Sequence, residues 1–282
     1  MQDRETAVAA GAAREIGVKL TRSGMPPWQV NLLRITVGLV ILGSWEVASG
    51  RWIEEVFVSR PTQVVARLYE LFFVTGAIYT HLRVTITEIA VGYAIGSAVG
   101  LIVGYFLGRS RVLTDIFEPY ILAFYSIPKI ALAPLFIIWL GIGIGSKIAV
   151  VILSAFFLVF FNTFAGMRNI NEDFVNLARV MGANERQVTR RVILPSAAPF
   201  IIIGLKTAVP YSVIGAIIGE FIASSRGLGF YILYSASTFD SAGLFAGIFI
   251  LVALVFTVNQ CLNWLEAYIL RWKPTEETKV TV

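Results

Sequence analysis

Few residues of this 282-residue chain have chemistry that a fold could use, and those few stand in apolar surroundings. Lys129 follows Pro128 inside a long hydrophobic run, with Pro134 close behind. Ionisable groups near a bilayer interior are costly and usually face a cavity or a partner. A proline break also frees backbone groups that can line a path. An ammonium there suits an anionic solute; the other readings are a structural ion pair or a snorkelling side chain. Lys206 lies near enough to the end of its run to snorkel. Glu220, ahead of a Gly227–Leu228–Gly229 turn, is a candidate for a gate, and Glu88 reads as an interface anchor. Catalysis is poorly served. His81 and Cys261 are the sole histidine and cysteine, so neither a His metal cluster nor an internal disulfide is expected. Gly141–Lys147 (GIGIGSK) fails the G-x(4)-G-K-[ST] spacing of a phosphate loop and reads as a tight turn. No catalytic, cofactor or metal site is expected in the chain.

The elements that must position these residues are set by a lipid solvent. Apolar types make up 57% of the chain, charged types 15%, and the mean hydropathy is +0.76; a soluble domain carries about 25% charge. Too little polar surface exists to cover a water-soluble body, which excludes a cytosolic enzyme, a disordered chain and a disulfide scaffold. A net charge of +5 is then a topology signal rather than a sign of nucleic acid. Six runs suit spans of about 20 residues: Val30–Ser49, Ile89–Gly108, Ile116–Leu140, Ile148–Met167, Pro199–Ile222 and Ala242–Leu265. An even number puts both termini on one side. That side holds fifteen of the 23 basic residues against six opposite, so the segments 1–29 and 266–282 are expected in the cytoplasm. The polar start lacks the early apolar core of a cleaved signal peptide. The expected fold is an all-α integral membrane protein of six transmembrane helices.

Between the first two spans, 61–75 forms an amphipathic stripe of Val64, Leu68, Leu71 and Phe72 opposite Gln63, Arg67 and Glu70. It reads as an interfacial helix lying flat or a surface helix packed on protein. Gly92, Gly96, Gly100, Gly104 and Gly108 form an i+4 ladder that admits a neighbouring backbone, either within the chain or at a subunit seam.

The polar segment 168–195 is the most informative. Asn169 with Glu172 can form a capping box. Phe174, Leu177, Ala178 and Met181 then recur at helical spacing, and Gly182 stops the helix. Asn184 and Gln187 open a second helix with Glu185, Arg186, Arg190 and Arg191 toward water, and Leu194–Pro195 ends it. Such a helix–glycine–helix elbow must bury its stripe on its own helix ends or in a groove of a cytosolic partner.

The stretch NLARVMGANERQVTRRVILP resembles the EAA loop of permease subunits of bacterial ATP-binding-cassette (ABC) importers, whose pattern is E-A-A-x(3)-G-x(9)-I-x-L-P. Ala178, Gly182, Leu194 and Pro195 fall on pattern positions; Asn176, Leu177 and Val192 depart from it, so no role for a glutamate at the first position carries over. SIPKIALAPLFIIWLGIG, the uncharged fourth span and GEFIASSRGLGFYI are similar to the subfamily importing nitrate, taurine, other sulfonates and bicarbonate. Other similar permeases serve thiamine precursors, riboflavin or aromatic acids. The resemblance implies a type I permease core over 78–265 in the bacterial inner membrane, a homodimer, and a periplasmic solute-binding protein. It also implies two cytosolic ATPase subunits that carry the ATP and Mg. Residues Asn176, Leu177, Ala178, Gly182, Ala183, Leu194 and Pro195 would couple to the ATPase, while Pro128, Lys129, Pro134 and Glu220 are candidates for the path or gate. A self-sufficient secondary transporter or channel is the rival; an integral-membrane enzyme is disfavoured by the lack of a nucleophile–base pair.

Overall fold

The computed structural model describes residues 26–270, which are helical apart from turns and an isolated bridge between Ser49 and Ile53. The elements are α1 (Pro27–Ala48), α2 (Pro61–Tyr69), α3 (Ala77–Arg109), α4 (Arg111–Ser126), α5 (Lys129–Leu140), α6 (Ile144–Arg168), α7 (Glu172–Val180), α8 (Glu185–Val188), α9 (Leu194–Ala223), α10 (Leu228–Ser237) and α11 (Ser241–Ile269). Most of α1 forms a unit separate from Glu46–Arg271, and its large apolar side chains are exposed around the helix, as suits a single span.

Within Glu46–Arg271, α6 is the central helix, packed on α3 along one side and α9 along the other. The glycine ladder explains the first contact. Gly92, Gly96, Gly100, Gly104 and Gly108 are all buried against α6, and a Cβ at Gly96 would stand 2.5 Å from the Ile152 carbonyl oxygen. Lipid offers no hydrophobic drive between helices, so close backbone approach supplies van der Waals contact instead. The ladder therefore serves packing inside the chain. Small residues recur on the other side, where Gly204 faces Asn162, Gly215 faces Ser154 and Gly219 faces Lys147.

Helix α2 buries Val64 and Leu71 (the latter in a π turn, Glu70–Val74) with Ile78, Leu228, Ala246 and Ile250. Arg67 pairs with Asp240 and Glu70, and the Asp240 bond raises the Arg67 guanidinium further above its already high range. One face of the helix is thus packed on protein.

Five described helices are long and apolar enough to cross a membrane, and a sixth span counts if α4 and α5 together make one. The run Ile116–Leu140 breaks at Pro128 as expected, where α4 and α5 meet at 91°; the second interruption, expected at Pro134, is corrected, since α5 runs through it. Ile127 is extended because the proline ring disfavours helical backbone at the residue before it, and Pro128 is the extended cap from which α5 starts. Pro134 and Pro119 lie inside helices without interrupting them. Two further expectations need correcting. Helix α6 starts at Ile144, so Lys147 belongs to a buried helical turn and not to a loop. Helix α10 was not expected, its ten residues being too short to span. Residues 1–25 and 271–282, on which the expected cytoplasmic ends fall, lie outside the described residues.

Candidate functional site

The elbow is built from local signals. Helix α7 starts at Glu172, capped by the Asn171 side chain, which accepts from the Asp173 N–H at 2.8 Å. Asn169, the expected cap, instead donates to the Ala165 carbonyl at 2.9 Å and closes α6. Gly182 has φ +84°, the left-handed turn in which side chains with a Cβ are strained. The N–H of Ala183 reaches the Ala178 carbonyl at 3.0 Å and that of Gly182 the Arg179 carbonyl at 2.9 Å, the paired bonds of a Schellman ending. Asn184 and Gln187 then exchange side-chain and backbone bonds, both 2.9 Å, in the expected capping box. Leu194–Pro195 does not end this helix. A π turn over Thr189–Ile193 carries it into α9 as one apolar helix to Ala223; the shifted bonding accommodates a proline that has no N–H of its own.

Beneath the elbow, Val175, Ala178 and Ala183 pack on Met167, Val188, Ile193 and Ala197. Phe174, Leu177, Val180 and Met181 stay exposed, Met181 to 79%, and Asn176 is exposed beside them. Glu185 ties the elbow down by bonds of 2.9 Å to both Arg179 and Arg109, and the Arg179 bond holds its carboxyl below the usual range. The arrangement is a rigid bracket with an uncovered apolar face, the signature of a docking surface.

At the α4–α5 break, Pro128 caps α5 and Lys129 opens it. The ammonium lies 4.5 Å from the centre of the Tyr125 ring and 5.2 Å from that of Phe157. Aromatic faces attract it without neutralising it; among the described residues no carboxylate pairs with it.

Glu220 is not near that cluster in its contacts. It is buried at the far end of α9, where it accepts from the Thr85 hydroxyl at 2.6 Å and from the Gly229 N–H. Leu228 N–H donates to the same threonine at 2.8 Å, and Gly227 N–H to His81 Nδ1 at 3.1 Å. A Cβ on Gly227 would stand 2.3 Å from the Glu220 carboxyl carbon, so the Gly-Leu-Gly turn lets the chain cross over this carboxylate. Glu88 is no interface anchor: it is fully buried, with the Lys147 ammonium at 3.9 Å. Lys206 finds an ion pair with Glu266 of α11 at 2.6 Å. Thr85, Glu88, Lys147 and the tether Arg109 were invisible to sequence reasoning as a set, because their partners are remote in the chain.

A fold of packed spans, a broken helix and a bracketed elbow defines a polytopic transport subunit, and comparison with known proteins says which kind. A family profile described as "Binding-protein-dependent transport system inner membrane component" matches residues 92–273. The chain belongs to this family of ABC transporter permeases: it is a multi-pass subunit of the bacterial inner membrane that serves transport, not catalysis. It is 33% identical to the formylaminopyrimidine transport permease protein ThiX of Halalkalibacterium halodurans, over 83% of this chain and 93% of that one. It is 29% identical to the taurine transport system permease protein TauC of Escherichia coli, over 86% and 90%. The inward-facing MetNI methionine ABC transporter shares the fold with a TM-score of 0.62 at 20% identity, over 69% of this chain and 97% of that one. ATPase and binding-protein partners follow from the type I importer family.

Proposed function

We propose that two copies of this chain enclose a path for a small anionic solute and couple it to two cytosolic ATPase subunits through the 168–195 elbow. The observation that carries the solute reading is Lys129: a cation at a sharp helix break, held by aromatic faces with no carboxylate partner among the described residues. Relatives named for taurine and aliphatic sulfonates fit it. Exposed apolar side chains on α4 and α5, among them Phe124, Ile130 and Trp139, favour a second copy as their cover. On the cytoplasmic side, Leu177 with the rest of the exposed stripe, Phe174, Val180 and Met181, would seat the elbow in the ATPase, and closure of the ATPase pair would swing α6 and α9 to open the cavity outward.

A second reading has its own support. Tyr125, Phe157 and Phe161 cluster with ring centroids 4.9–6.4 Å apart beside Lys129, and relatives are named for formylaminopyrimidine and riboflavin. A planar aromatic solute would use those rings. Uptake by the complex reconstituted with its binding protein and ATPase decides between them. Transport of a sulfonate, nitrate or bicarbonate that falls at least tenfold in Lys129→Ala, with assembly intact, supports the anion reading, tenfold corresponding to about 1.4 kcal/mol. Uptake of neutral aromatics alone, or unchanged transport by Lys129→Ala, overturns it.

A further inference from the structure

Behind the elbow lies a polar cleft of about 410 Å³ where the α3–α4 turn, the end of α6 and helix α7 meet. Four guanidinium groups line it, those of Arg109, Arg111, Arg168 and Arg179, against one lining carboxylate, Glu172. Glu185 takes up Arg109 and Arg179 together, so among the described residues the lining and Glu185 keep a surplus of two positive charges. The remaining pair is loose: Arg111 and Glu172 stand 3.9 Å apart, both 84% exposed, an arrangement worth little by itself. Arg168 rests on the Phe164 ring face at 5.6 Å. The start of α7, with its outward N–H groups, opens beside them.

Helix geometry separates this cleft from the docking face. Glu172, Val175, Asn176 and Arg179 follow one face of α7 into the cleft, while Phe174, Leu177 and Met181 follow the opposite one. An occupant of the cleft would therefore leave the exposed stripe free. It would also bridge α7 to the ends of α3 and α6.

We infer that this cleft binds a phosphate-type oxyanion and that the bound anion braces α7 from behind. Guanidinium forks match phosphate oxygens two at a time, and the surplus of two charges suits a phosphoryl group. Two sources share this chemistry: the headgroup of an anionic phospholipid, since Arg109 and Arg168 end apolar spans, and a soluble phosphate. The proposal is independent of the solute carried.

The test uses the complete transporter in nanodiscs of phosphatidylcholine. One arm titrates inorganic phosphate and follows it by phosphorus NMR; the other adds phosphatidylglycerol and counts retained lipid by native mass spectrometry. One anion per permease chain is expected in at least one arm. Arg111→Gln with Arg168→Gln should weaken it about 25-fold, about fivefold per arginine at roughly 1 kcal/mol each. Arg83→Gln with Arg226→Gln, the same charge change at the other end of the bundle, should leave binding unchanged and report any non-specific charge effect. Phosphate binding identifies a soluble ligand and lipid retention a headgroup; either supports the cleft. No binding in both arms, wild-type affinity in the Arg111/Arg168 variant, or equal loss in the control overturns it.

Discussion

At the residue scale, the buried charges are set to hold helices rather than to react. Lys147 of α6 faces Glu88 of α3 and packs its stem against Gly219 of α9, so one side chain joins the three central helices. Two ions taken out of water gain little net stability, but removing one partner leaves the other stranded. Lys147→Ala is expected to cost about 3–5 kcal/mol, read as a lowered unfolding midpoint of the purified subunit. Glu88→Gln in that background removes the stranded charge and should restore much of the loss. An unchanged midpoint in Lys147→Ala would mean that the pair bears no structural load. None of this could be read along the chain: Glu88 looked like the edge of a span because its partner is 59 positions away in sequence, at Lys147.

At the element scale, legibility tracks locality. The elbow was readable because capping side chains, Gly182 and helical spacing act within a few residues, and its cap shifted only from Asn169 to Asn171. Pro128 marked the break in the third span, while the 91° angle depends on what α4 and α5 pack against. Helix α10 escaped because its apolar residues are too few to span and it is placed by Leu228 and Ile232 inserting beside α2 and α11. The glycine ladder was readable as close packing, but its partner α6 was not. Its test is direct. Gly96→Val forces a side chain onto the Ile152 carbonyl and should cost about 1–3 kcal/mol or more, seen as a lower unfolding midpoint. Gly143→Ala, with open space around its Cβ and φ −68°, should stay within about 1 kcal/mol of wild type. Equal midpoints would show that the ladder does not hold α3 to α6.

At the scale of the whole molecule, the elbow has an exposed apolar face, runs through a π turn into α9 and packs on the ends of α3 and α6, the continuity that the proposed transmission of ATPase movement to the spans requires. Gly182 is the point at which this claim can be broken without touching the spans. Nothing lies within 4 Å of a Cβ placed there, so a substitution acts only through its φ of +84°. Valine at that angle is strained by about 1–3 kcal/mol, and the Schellman ending that sets α7 against α8 should open. Asparagine tolerates the left-handed region and should stay close to wild type. The deciding measurement is ATPase activity of the complex in proteoliposomes, with and without loaded binding protein, beside capture of the ATPase subunit by the permease. Gly182→Val should insert and dimerise yet lose ATPase capture or its stimulation by binding protein, with Gly182→Asn retaining both. Wild-type capture and stimulation in Gly182→Val would contradict the account, leaving the elbow as a connector and no more.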